Sequence, residues 1–258
     1  MFRRILCPTD FSERSRGAAH VARALAHRFL SEIVLLHIAP AGATRARRAE
    51  AERKLGEIVT EDLEGCVVSP CIIFGEAADE IVKFSRDHRS DLLLMATHGN
   101  SAFRRFQIGS VTTRVLYAAD CPVWTSAHLE DWPAVDAIPL RSILCALDFG
   151  PRSCGALNWS SRLAQEFEAK LTLAHVVAAR GDYFAEDPLL TLRRQQEKLR
   201  VPAEVRVLEG RPAAMLSDLA EEIAADLTVI GRTHAASPGL GASAYAIIAH
   251  SPCPVLSV

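Results

Sequence analysis

Little in this 258-residue chain points to a partner by charge, by metal chemistry or by membrane affinity. Lys and Arg number 29 against 31 Asp and Glu, a formal net charge of -2. That balance gives no global electrostatic reason to hold nucleic acid or an anionic membrane. No apolar run approaches the roughly 18 residues that crossing a bilayer takes; the run from Ile33 to Ala39 is broken by His37 and ended by Pro40. After Met1-Phe2-Arg3-Arg4 the first apolar run meets Pro8, Thr9 and Asp10 too soon for a secretory segment, so a soluble, cytoplasmic chain is expected. No glycine is followed by lysine, which excludes a Walker phosphate loop. The seven cysteines include no C-x-x-C pair and no neighbouring histidine cluster, so zinc is not expected. Odd in number and set in apolar runs such as Ile5-Leu6-Cys7 and Ile143-Leu144-Cys145, they read as small buried hydrophobes in a reducing compartment.

What the chain does have is a repeat. Ile5-Leu6-Cys7-Pro8-Thr9-Asp10-Phe11 recurs as Ile143-Leu144-Cys145-Ala146-Leu147-Asp148-Phe149, and Leu36-His37-Ile38 recurs as Ala174-His175-Val176, both at an offset of 138 residues. Gly75 with Glu-Ala-Ala matches Gly210 with Arg-Pro-Ala, and Asp91-Leu92-Leu93 matches Asp226-Leu227-Thr228, at an offset of 135. Cys121-Pro122-Val123 matches Cys253-Pro254-Val255 at 132, so the second copy is three residues shorter in two places, the later one between Asp226 and Cys253. The reading is a first domain over 1–127, a linker over 128–140 carrying Trp132, Pro133 and Pro139, and a second domain over 141–258.

Each copy alternates short apolar or β-branched runs with amphipathic stretches, the pattern of parallel strands joined by crossover helices. Strands are expected near 3–8, 32–38, 66–74, 91–96 and 121–126, and again near 141–146, 170–177, 203–208, 226–230 and 253–258. The fold class is therefore α/β: two tandem copies of a five-stranded, parallel, doubly wound domain. Ala18, Val21, Ala22, Leu25 and Phe29 form an apolar helical stripe with Ser12 as its N-cap. The helix near 43–63 mixes arginines with glutamates and reads as a solvated face laced by i to i+4 pairs. In the second copy, helices are expected near 152–168, 187–199, 212–224 and 242–250.

In an open parallel sheet, ligands sit beyond the carboxyl ends of the strands, where the strand order reverses. The residues there are Pro8-Thr9-Asp10, Ile38-Ala39 and Ala96-Thr97-His98-Gly99, followed by Gly109-Ser110-Val111 at the start of the last helix of the copy. A helix N-terminus offers free N–H groups and partial positive charge, so a Gly-Ser there suits phosphate oxygens. Arg104 and Arg105 in the connecting loop add positive charge. Asp10 has a second reading, as a cap on the turn that follows its strand. His98 has no evident carboxylate partner that would make it a base, and His37 and His175 read as packed, hydrogen-bonded histidines.

Thr97-His98-Gly99, nine residues, Gly109-Ser110, and then Cys121-Pro122-Val123 resemble the universal stress protein family, and the resemblance runs through both copies. Its nucleotide motif, Gly, two residues, Gly, nine residues, Gly-Ser or Gly-Thr, has Ala96 in place of the first glycine here. The resemblance implies a Rossmann-like fold and an ATP site in the first domain. Asp10 with the Pro8-Thr9 backbone would meet adenine and ribose, Ile38 would pack on the base, and Met95 with Ala96 would line the pocket. Gly99, Gly109, Ser110 and Val111 would hold the phosphates, with Mg²⁺ on them and His98 and Arg104 close by. It also implies a stress-response regulator built as an intramolecular pseudo-dimer, open to further dimerisation. No nucleophile and base pair is visible, which leaves at most slow hydrolysis or autophosphorylation; the alternative is a scaffold of the same fold without nucleotide.

The second copy departs from this pattern. Gly231 keeps the first motif position, but His234 takes the second, and Ala242 follows Gly241 where Ser110 follows Gly109. Ser243 comes one residue late. Nucleotide binding in the same manner is thus expected of the first copy alone. Gly239-Leu240-Gly241-Ala242-Ser243-Ala244 imitates a dinucleotide fingerprint but does not open the first crossover, and is a decoy.

Overall fold

The structure is a computed structural model that describes residues 1–98, 107–126, 137–150, 153–177, 187–232 and 242–258. It divides into two compact units, Met1–Ile138 and Pro139–Val258.

In the first unit, strands β1 (Arg4–Pro8), β2 (Glu32–Ala39), β3 (Val67–Phe74), β4 (Leu92–Ala96) and β5 (Val123–Ser126) alternate with helices α1 (Glu13–Phe29), α2 (Arg45–Glu61), α3 (Ala77–Asp87) and α4 (Ser110–Ala118). The strands lie in the order β3-β2-β1-β4-β5, all parallel. Because strands with helices on both faces are shielded from water, they read as continuous apolar runs; Ile5, Leu6, Ile33, Leu35, Leu93, Leu94 and Trp124 have no exposed surface.

Helix α1 starts where the sequence predicts, with the Ser12 hydroxyl accepting the Ser15 N–H at 3.2 Å. Its inner face buries Ala18, Val21, Ala22 and Leu25, while Phe29 is half-buried and packs edge-on against Phe2. It ends at Leu30, which adopts the left-handed conformation at φ 54°. Helix α2 begins at its Thr44 cap and is solvated as expected, with Arg48–Glu52 and Arg53–Glu57 pairs on its outer face and Ala51, Leu55 and Ile58 beneath.

The second unit repeats the plan with β6 (Ser142–Ala146), α5 (Ser153–Phe167), β7 (Lys170–Val177), α6 (Pro188–Gln196), β8 (Ala203–Glu209), α7 (Pro212–Glu222), β9 (Leu227–Ile230), α8 (Ala242–His250) and β10 (Val255–Ser257). Its strand order is β10-β9-β6-β7-β8. Leu144 and Ala174 of the sheet pack on Leu216, Leu219 and Ala220 of α7.

One repeated landmark proves to be architectural. The Asp91 carboxylate accepts the N–H groups of Arg3 and Arg4 at 2.8 and 2.9 Å, and Asp226 accepts those of Arg141 and Ser142 at 2.6 and 2.9 Å. In each unit a carboxylate at the amino end of the fourth strand therefore clamps the start of the first.

The cysteines correct the sequence reading in part. Cys7 and Cys145 are buried, and burial pushes each thiol up to about 12, since a thiolate there would lose its hydration; at Cys145 this outweighs a lowering contribution from the Ser160 hydroxyl. Cys66, Cys71, Cys121 and Cys253 are only half-buried, and Cys154 is exposed because it stands on the solvent side of the first turn of α5.

Candidate functional site

The strand order of the first unit reverses at β1, which has β2 on one side and β4 on the other, and the crevice beyond their carboxyl ends is a cavity of about 270 Å³. Ten of the twelve residues singled out from the sequence line it: Pro8, Thr9 and Asp10 after β1, Ile38 on β2, Met95, Ala96 and His98 at the end of β4, and Gly109, Ser110 and Val111 at the start of α4. The other two, Gly99 and Arg104, lie outside the described residues, as does Arg105. Ser15, Leu36, His37, Ala77, Ile81 and Thr112 also line the cavity and were not among the expected residues.

The turn after β1 is held from several directions. The Thr9 N–H donates to Leu36 O at 2.8 Å, and its hydroxyl meets that of Ser15 at 2.9 Å and accepts the Phe11 N–H at 3.0 Å. Phe11 takes the left-handed conformation, φ 64°. His37 Nδ1 lies 2.9 Å from Thr9 O; a carbonyl only accepts, so this nitrogen carries the proton. The imidazole packs on the Phe11 ring, centroids 4.3 Å apart, which agrees with the packed histidine read from the sequence. Asp10 Oδ1 accepts both the N–H and the hydroxyl of Ser12, at 3.1 and 2.5 Å. It therefore caps its turn and also presents an exposed carboxylate to the cavity.

Pairing of β2 with β1 stops at Leu36, whereas pairing with β3 runs on to Ala39. Since peptide groups alternate sides along a strand and Leu36 O faces β1, the main-chain N–H and C=O of Ile38 face the cavity. This is a donor and an acceptor side by side above an apolar floor of Ile38, Ile81 and Met95.

The opposite end is built from α4. Gly109 is its N-cap, at φ -58° and ψ 149°, with no side chain on the first-turn N–H groups. Its own N–H donates to Thr97 O at 2.7 Å, and the Thr112 hydroxyl donates to Ala96 O at 3.0 Å, so two bonds pin the helix start to the end of β4. A Cβ at position 109 would lie 3.3 Å from Thr97 O and 3.8 Å from His98 Cα. Close backbone approach, and not φ, is what asks for glycine there. Ala96 is the last residue of β4 and is absent from the described residues with positive φ, so its methyl group is compatible with the backbone. The Thr97 hydroxyl sits 3.0 Å from His98 Nδ1 and so helps to set that ring.

The cavity is thus polar at both ends with opposite sign: a carboxylate at Asp10 and a helix N-terminus at Ser110. The residues that the sequence did not single out are those whose approach depends on tertiary packing. Thr112, two residues past Ser110, and Ser15, three past the Ser12 cap, are the two with a readable signal, a hydroxyl in the first turn of a helix.

The second unit has a matching cavity of about 290 Å³, lined among others by Asp148, His175, Val176, Gly231, Ala242 and Ser243. His234 and Gly241 lie outside the described residues.

The universal stress protein family model matches residues 1–126 and, a second time, residues 139–258. A universal stress protein of Methanocaldococcus jannaschii is 28% identical over 152 residues, an alignment that takes in 48% of this chain and 93% of that protein. One from Synechocystis is 37% identical over 91 residues, 35% of this chain and 31% of that protein. Among solved structures, a universal stress protein from Archaeoglobus fulgidus superposes with a TM-score of 0.81 at 23% identity, over 98% of this chain and 97% of that one. With the family model matched twice along its length and one doubly wound parallel sheet in each unit, the chain belongs to the universal stress protein family.

Proposed function

We propose that the first unit binds ATP and that the chain acts as a nucleotide-dependent regulator in a stress response. The observation that carries this reading is the cavity's arrangement: a carboxylate for hydroxyl groups, a strand-edge donor and acceptor over an apolar floor, and an uncapped helix N-terminus, in one crevice. A carboxylate accepts from ribose hydroxyls, a paired main-chain N–H and C=O match the edge of a base, and first-turn N–H groups take phosphate oxygens. ATP carries a base, a ribose and a phosphate chain, one partner for each of these three features.

The phosphates would bring Mg²⁺ with them. Asp10 is the one acidic side chain among the described lining residues, and no cluster of three or more His, Cys, Asp or Glu suited to a metal occurs among the described residues. That donor set fits an ion held mainly by phosphate oxygens and water, the usual manner for Mg²⁺, with Asp10 as the available carboxylate.

Calorimetric titration of the whole chain with ATP and Mg²⁺ tests this. One equivalent bound per chain, lost in Gly109→Val, supports it; no saturable uptake overturns it and leaves a scaffold of this fold.

A further inference from the structure

We infer that the cavity of the second unit is a separate site for an uncharged nucleoside, one that gains nothing from phosphate groups. This does not depend on ATP occupying the first unit.

The end of the cavity that faces a base and a sugar is kept almost atom for atom. The Leu147 N–H donates to Ala174 O at 2.9 Å, as Thr9 does to Leu36 at 2.8 Å. His175 Nδ1 lies 2.7 Å from Leu147 O, and its ring stacks on Phe149 with centroids 4.1 Å apart. Phe149 is left-handed at φ 59°, like Phe11. Pairing of β7 with β6 stops at Ala174 while pairing with β8 runs to Val177, so the main-chain N–H and C=O of Val176 face the cavity as those of Ile38 do in the first unit. The floor is again apolar, with Val176, Leu216 and Ile230 at the repeat positions of Ile38, Ile81 and Met95. Asp148 Oδ1 accepts the Gly150 N–H at 2.8 Å and the Ser153 hydroxyl at 2.7 Å, which fixes a carboxylate at the mouth. A carboxylate so placed accepts hydrogen bonds from a sugar diol, as Asp10 would in the first unit.

The other end is dismantled. Ser110 is replaced by Ala242, and Thr112, whose hydroxyl ties α4 to Ala96 O, is replaced by Ala244. Thr97 is replaced by Arg232, which is 2% exposed and is not among the described residues that line the cavity. The chain between β9 and α8 is three residues shorter than its counterpart. Both hydroxyl groups that would position or pin a phosphate-binding helix start are therefore gone, while Ser243 leaves one hydroxyl at the cavity wall, enough for a neutral 5′-hydroxyl.

The test titrates the whole chain, pre-saturated with ATP and Mg²⁺, with adenosine and separately with AMP. One further equivalent of adenosine is expected, bound at least as tightly as AMP. Asp148→Asn, which keeps an oxygen to accept from Gly150 and Ser153, should weaken it about tenfold, as expected for removal of a charged hydrogen-bond acceptor; Asp10→Asn should leave it unchanged. The site is refuted if adenosine finds no further equivalent, if AMP or ATP binds there tenfold more tightly than adenosine, or if Asp148→Asn has no effect in a variant whose thermal melt matches the wild type. A chain that takes up no ATP yet still binds adenosine in an Asp148-dependent way would overturn the ATP reading of the first unit and support this one.

Discussion

Replacing Gly109 by alanine separates the phosphate end of the first cavity from its base and sugar end. The backbone at 109 has ordinary φ, so alanine suffers no conformational strain; the conflict is the 3.3 Å approach of the new Cβ to Thr97 O. Thr97 O cannot simply retreat, because it accepts the Gly109 N–H at 2.7 Å and its own residue is tied to Ser126 through the Thr97 N–H at 3.0 Å. The helix start must therefore move by a few tenths of an ångström. Overpacking of this size costs about 1 kcal/mol, which lowers the melting temperature of a domain this size by about 4 °C. First-turn N–H groups bonded to phosphate each contribute roughly 1.5–3 kcal/mol, so misplacing two of them should cost at least about 1.4 kcal/mol, a tenfold loss of ATP affinity. Calorimetry with ATP and with adenosine reads the outcome. Adenosine affinity of the first unit should stay within about twofold, since the substitution touches nothing at the other end of the cavity. An ATP affinity that does not change, or an adenosine affinity that falls by the same factor, would refute the division of the cavity into two chemical ends.

Leu30 is 92% exposed and left-handed at the end of α1, so Leu30→Gly should raise stability by about 0.5–1 kcal/mol in a denaturant titration. Thiol labelling of the native chain at pH 8 should modify Cys154 within minutes and reach Cys7 and Cys145 only on unfolding, because burial holds those two thiols near 12 and out of reach. The Glu32 carboxyl is held below the usual carboxylate range, first by the Ser69 hydroxyl and then by Arg4. A depressed acid stabilises above its unfolded pKa, so the stability advantage of wild type over Glu32→Gln should be constant from pH 7 to about 5 and shrink as pH falls below about 4.

Much of this architecture is legible in the residues because the determinants are local. Continuous apolar runs mark the doubly covered strands, and the expected strand limits fall within two residues of the observed ones in every case. Ser12 announces the start of α1, and Thr97 to Ser110 announce the crevice. What stays hidden depends on register between distant segments. That Ile38 turns its main chain into the cavity follows from β2 outrunning its pairing with β1 by three residues, and no pattern within either strand encodes that. Asp91 and Asp226 are visible as a repeated residue, yet a carboxylate 88 residues from its partner Arg3 carries no sequence mark of what it holds. Phe11 and Phe149 occupy a backbone region that aromatic side chains rarely adopt, for which propensity gives no warning.

The two aspartate clamps sit at the amino ends of the strands, the pole of each unit remote from its crevice. Anchorage and recognition are thereby assigned to opposite poles, and edits at one pole leave the other's bonds intact. A duplicated copy built this way can shed three residues and two hydroxyl groups from its rim and still close its sheet. The geometry of the fastening, more than the chemistry of the pocket, is what lets the rim of a second domain change while its sheet stays closed.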